Sequence, residues 1–128
     1  MSGDEITLTL PADEAFHPVA HLVLGGLAAR LDLTIEHLED LELAVDSLLE
    51  RADGHDVTLL VRVLDSELMA SVGPFTAIRN ELDRDGGEAL DLRRILATVC
   101  DRVEIVDGQE GQWVELTKRV EKEKDGGA

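Results

Sequence analysis

The sequence predicts one α+β domain, a two-layer sandwich of a mixed, mostly antiparallel sheet with helices on one face. Three features predict it: an alternating strand at the start, two consecutive helical stripes behind it, and two later pairs of short apolar segments, each pair split by a turn signal. The 128 residues suit a single core, and 44% of them are apolar. The domain is placed at 1–120, with 121–128 as a disordered, charged and Gly-rich tail.

Ile6, Leu8 and Leu10 alternate with Thr7 and Thr9, the pattern of a half-buried strand, and Pro11 stops it. From about Asp13 to Leu31, Val19, Leu22, Leu24, Leu27 and Ala28 recur at helical spacing. Pro18 is tolerable there within a first turn. Gly25 and Gly26 either admit a closely packed neighbour or simply loosen the helix. Thr34 reads as the N-cap of a second helix, with Glu36 suiting its positive end. Leu38, Leu41, Val45, Leu48 and Ala52 form its buried stripe. Glu39, Asp40 and Glu42 are most simply a solvated face.

Val57, Leu59, Val61 and Val63 then face one way and Thr58 and Arg62 the other. Asp65-Ser66 turns the chain into a returning strand, Leu68 to Val72, which Gly73-Pro74 ends. Thr76 to Glu88 is mostly polar, a short helix or a loop. Ala89 to Asp101 is a helix carrying Leu90, Leu92, Ile95, Leu96 and Val99. Val103 to Val106 and Trp113 to Leu116 form a second hairpin around Asp107-Gly108, and the frayed tail begins near Lys118. Trp113 reads as a core residue before a ligand-stacking one.

Composition narrows the function. Twelve basic and twenty-eight acidic residues give a net charge of −16. That field repels a nucleic-acid duplex and an anionic membrane, so neither is an expected partner, and it attracts a basic protein surface. The plainer reading is that it keeps the protein soluble. The single Cys100 permits no internal disulfide, which fits a reducing cytoplasm; among Leu96, Ala97, Val99 and Val103 it reads as a small core residue. The first residues have neither a basic nor an apolar stretch, so no signal peptide is expected, and no apolar run is long enough to cross a membrane. His17 and His21 stand one helical turn apart, a spacing that can hold a metal, but such a pair is more often simply partly exposed and no metal site is expected.

Five stretches carry a resemblance: "ITLTLPAD" at 6–13, "LEDLELAVDSLLERA" at 38–52, "LMASVGPF" at 68–75, "LDLRRILATVCDRVEIVDG" at 90–108 and "GQWVELTKRV" at 111–120. In order and spacing the chain resembles the anti-sigma-factor serine kinases of the histidine-kinase-like (GHKL) ATPase superfamily, in particular the short, actinobacterial-type regulatory members. The resemblance implies a Bergerat-like ATPase fold over 1–120, a cytoplasmic bacterial signalling role in transcription regulation, and sigma factors or anti-sigma antagonists as partners. A homodimer is among the implied assemblies. Phe75 and the acidic segment Arg79 to Gly87, with Glu81, Asp83 and Asp85, would form the partner-binding rim.

The resemblance also implies a nucleotide site, and the residues depart from it. The family's helix motif resembles "ELAVDEA-x-x-N", whose Glu acts as base and whose Asn holds Mg²⁺. Here "ELAVD" spans Glu42 to Asp46, while Ser47 stands at the Glu position and Arg51 at the Asn position. Serine is a poor base, and Arg51 puts a positive charge where the metal belongs. Asp46 could substitute as a base, though it lies about 100° round the helix from position 47 and should face differently. In the "D-x-G-x-G" motif, Ser71 replaces the adenine-binding Asp, Gly73 matches, and Phe75 replaces the second glycine. Losing that carboxylate costs about 1–3 kcal/mol. In the phosphate-binding "G-x-G-L" motif, Gly87 remains, Glu88 would repel phosphates, and Ala89 replaces a glycine. Gln112 replaces a strand Thr. These positions are expected as the remnant of a nucleotide pocket, with no catalytic residue and no cofactor. The expected function is then a pseudokinase that acts by protein binding. The rival is an ATP- and Mg²⁺-dependent serine/threonine kinase with an unorthodox site built on Asp46.

Overall fold

The computed structural model describes residues 5–52, 54–64, 66–83, 92–108 and 110–119. Its elements follow the order β1 (Glu5–Leu10), α1 (His17–Leu31), α2 (Ile35–Leu49), β2 (Val57–Leu64), β3 (Glu67–Phe75), α3 (Ile78–Asp83), α4 (Leu92–Val99), β4 (Arg102–Gly108) and β5 (Gly111–Arg119). A single 3-10 turn, Glu14–Phe16, precedes α1. The strands form one sheet in the order β1-β2-β3-β5-β4. The α+β class and the layering are those expected.

All four strand pairings are antiparallel, so the sheet has no mixed component among the described residues. The helix count explains this between β1 and β2. One crossover helix would deliver a parallel neighbour. Here α1 and α2, 15 residues each, take the chain out and back, and β2 returns beside β1 in the opposite direction.

Local chemistry sets the helix ends. Asp13 Oδ1 accepts from the Ala15 amide at 2.9 Å and starts the 3-10 turn; Pro18 then fits the first turn of α1, where its missing N–H costs nothing. Thr34 Oγ1 caps α2 by accepting from the His37 amide at 3.0 Å. Asp32, left-handed at φ 61°, closes α1.

The core lies between the helices and one face of the sheet. Leu10, Leu59, Val61, Val72, Val114 and Leu116 meet Leu24, Leu27, Leu41, Val45, Leu48, Leu96 and Val99, all buried. Each fully buried Leu or Val contributes about 1.5–3 kcal/mol relative to exposure. The opposite sheet face carries no layer of described residues.

Five expectations change. Gly73-Pro74 does not end β3; the pairing register shifts between Val72 and Phe75, and Phe75 pairs with Gln112. A bulge is where a strand tolerates a residue without an N–H. Asp107-Gly108 is strand rather than turn, since Gly108 pairs with Gly111. The region near Lys118 is the end of β5, and Lys118 is buried. Trp113 is absent from the core cluster: it stands on the open sheet face, where a Cβ on Gly73 would come within 2.8 Å of its ring. Leu22, expected in the buried stripe of α1, is 74% exposed. Asp65, residues 84–91 and the expected tail 121–128 lie outside the described residues.

Candidate functional site

The C-terminal turn of α2, the end of β3 and the start of α3 enclose a cleft of about 350 Å³. Glu50, Arg51, Ala52, Phe75, Thr76, Ala77 and Ile78 line it. Two expected positions, Arg51 and Phe75, therefore meet in one place. They come from opposite ends of long sequence segments because α2 runs out at the same edge of the domain as β3.

Arg51 turns back on its own helix. Its Nη1 donates to the Ser47 carbonyl at 2.9 Å and lies 3.6 Å from Glu50 Oε1. A guanidinium at the last carbonyls of a helix complements their partial negative charge. The position that the resemblance gives to a metal-binding Asn thus holds a cation bound to α2. Ser47 lies one turn earlier and is buried. Its Oγ donates to the Leu43 carbonyl at 2.8 Å, the backbone-directed bond that serine makes inside a helix. It is not among the residues lining the cleft.

Phe75 is buried and forms a wall of the cleft, so it does not project as a rim residue. The register shift explains its direction. Ala70 and Val72 face the core, and an unbroken strand would turn position 75 the other way. Ser71 obeys the same alternation. It sits between two core residues and pairs with Leu60 and Glu115 on the open sheet face, away from Ser47 and Arg51. Gly73 is buried beneath the Trp113 ring on that face.

Gln112 faces the core side opposite Phe75. Its Oε1 accepts from the Arg79 amide at 2.9 Å, satisfying an N–H in the first turn of α3. The Arg79 guanidinium reaches Asp107, at 3.2 and 3.4 Å. Gly87 and Ala89 lie outside the described residues, as do Asp85 and Glu88.

Asp46 stands apart from the cleft. His21 Nε2 lies 2.8 and 2.9 Å from its two carboxylate oxygens, and His21 Nδ1 lies 3.9 Å from Glu42 Oε2. One imidazole thus joins α1 to two successive turns of α2. Its two nitrogens point to different carboxylates, so a single metal ion has no shared vertex. No group of three or more His, Cys, Asp or Glu among the described residues is placed to hold a metal. Sequence reasoning noticed His21 as the neighbour of His17 and missed Asp46 as its partner. The signal was a histidine in a helix whose other residues, His17 and Arg30 apart, are apolar.

Cys100 is buried at the end of α4. Burial pushes its thiol up to about 11, with the nearby Lys118 opposing and Asp101 and Asp40 adding to the rise. This is an inert thiol rather than a nucleophile.

No protein-family model matches the chain, and no curated protein matches it. Among solved structures it is similar to the crystal structure of the RsbU and RsbW domains of Rv1364c from Mycobacterium tuberculosis, with a TM-score of 0.67 at 17% identity. The match covers 91% of this chain and 32% of that one, so the chain spans about a third of the length of the structure it matches. At that identity the likeness carries the fold, a two-layer α+β architecture, and no assignment of chemistry. No described helix is long and apolar enough to cross a membrane.

Proposed function

We propose that this domain is a regulatory protein of the partner-switching, anti-sigma-factor type, which works by binding proteins on an ATPase scaffold that no longer transfers phosphate. The observation that carries the reading is where the remnant side chains spend their polar groups. Ser47 bonds Leu43, Arg51 bonds Ser47, Gln112 bonds Arg79 and Asp46 bonds His21. Each interaction holds one element to itself or to its neighbour. Phosphoryl transfer needs a metal ligand and an oriented base converging on one point. These groups diverge: Ser71 is on the open face, Asp46 is on the α1 side of α2, and the cleft presents an arginine and a phenylalanine.

The likeness in fold and the sequence resemblance support sigma factors or their antagonists as the partner class in a bacterial cytoplasm. The strong negative charge supports a basic partner surface. Affinity capture from the source cells, with the tagged full chain as bait, tests this. The expected product is a sigma factor or an antagonist protein recovered in stoichiometric amount. Recovery of neither, from cells that express both, contradicts the reading.

A further inference from the structure

Helix α1 is apolar on both its inner and its outer side. Inward it buries Ala20, Leu24, Leu27 and Ala28. Outward it shows Leu22, 74% exposed, with Gly26 and Ala29 also exposed, and Arg30 is its only Lys, Arg, Asp or Glu. A helix on the outside of a domain normally turns charge to solvent, and one that is apolar all round is normally covered. The two glycines sharpen the point. A Cβ on Gly25 or Gly26 would meet nothing within 4 Å, so no part of the described chain uses the space they leave.

The neighbouring helix extends this surface. On α2, Ile35 is 66% and Leu43 48% exposed. The clasp of His21 on Glu42 and Asp46 fixes the level of one helix against the other. Leu22 and Leu43, next in chain to His21 and Glu42, therefore stand at the same height on the outer surface. Around them Glu36 and Glu39 are exposed, and Glu42 and Asp46 are half-exposed.

We propose that the outer face of the α1–α2 pair is a docking surface for a basic amphipathic helix of a partner protein. Leu22 and Leu43 supply the apolar contact, and the absence of side chains at Gly25 and Gly26 admits a helix backbone at short range. Glu36 and Glu39 complement lysines or arginines along the partner's polar flank. A second copy of this chain is the wrong occupant. It would bring the same carboxylates against one another in a chain of net charge −16. The surface does not involve the cleft beside Arg51, so it stands or falls separately from the nucleotide question.

The test is calorimetric titration of the full chain with a synthetic helical peptide carrying leucines on one face and lysines on the other, with amide shift mapping of the complex. Saturable binding that moves the amides of Leu22, Gly26 and Leu43 is expected. The charge-neutral double variant Leu22→Ser, Leu43→Ser should weaken it by roughly tenfold, since exposed contact residues of this kind carry binding rather than folding. Unfolding midpoints close to the parent's would show that the variant still folds. Glu36→Gln with Glu39→Gln should weaken binding severalfold and flatten its salt dependence. Equal binding of a peptide of the same composition shuffled to lack an apolar face would overturn the proposal, because attraction would then be general. So would a dimer of the parent chain that Leu22→Arg dissociates, because a second copy would then hold the face.

Discussion

His21 grips Asp46 with both carboxylate oxygens within hydrogen-bond distance of one ring nitrogen, at 2.8 and 2.9 Å. Asp46 ends the "ELAVD" stretch and is the carboxylate on which the rival kinase reading is built. In this fold it fastens α2 to α1. Asp46→Ala should therefore act on stability, lowering it by about 1 kcal/mol for a partly exposed pair. Denaturant unfolding of the variant checks this. His21→Ala should give a similar loss, and the double variant should lose less than the sum of the two.

Lys118 makes a deeper connection. Its Nζ donates to the Val99 carbonyl at 2.8 Å and to Asp40 Oδ2 at 3.1 Å, joining β5 to the end of α4 and to α2. Lys118→Ala removes the partner of a buried carbonyl and should cost about 2 kcal/mol. Asp40→Asn should cost less than about 1 kcal/mol, because Asp40 is half-exposed and Lys118 keeps its bond to Val99. Urea unfolding midpoints of the two variants give the ranking.

Gly73 and Gly111 are fixed by close approach. A Cβ on Gly73 would come within 2.8 Å of the Trp113 ring, and one on Gly111 within 2.7 Å of the Phe75 carbonyl oxygen. Gly111 also has φ +149°. Gly73→Ala should cost about 1–3 kcal/mol and shift the Trp113 fluorescence, because a side chain must yield. Gly111→Ala should cost more, because backbone and dihedral both resist.

Cys100 should react slowly with thiol reagents at neutral pH and quickly after denaturation. Its folded pKa is raised from 9.0 to about 11, chiefly by burial. A raised pKa means that the folded state holds the proton more tightly. Its contribution is therefore complete below pH 9 and is lost as pH climbs from 9 to 11. Replacing Cys100 by Ala should remove that part of the alkaline loss, as unfolding curves across this range would show.

Much of the architecture was legible from local pattern. The stripe of Leu38, Leu41, Val45 and Leu48, the Thr34 cap and the alternation of β2 each follow from residues close in sequence. What escaped depends on distant neighbours. Pro74 reads as a strand end until the bulge opposite β5 accommodates it. Lys118 reads as tail until Val99 and Asp40 come within reach of its ammonium. Trp113 reads as core until Gly73, on the neighbouring strand, clears a place for it outside. The candidate site was legible as positions but not as geometry. Ser71 and Phe75 occupy one motif in sequence, and a single register shift sends them to opposite faces of the sheet.

On the proposed reading the scaffold binds proteins and has lost nucleotide chemistry. Isothermal calorimetry of the full chain with ATP and Mg²⁺ tests it most directly. No saturable heat is expected at micromolar concentrations of nucleotide. Micromolar binding that depends on Mg²⁺ and weakens on substitution of Phe75 or Arg51 would contradict it and restore the kinase reading.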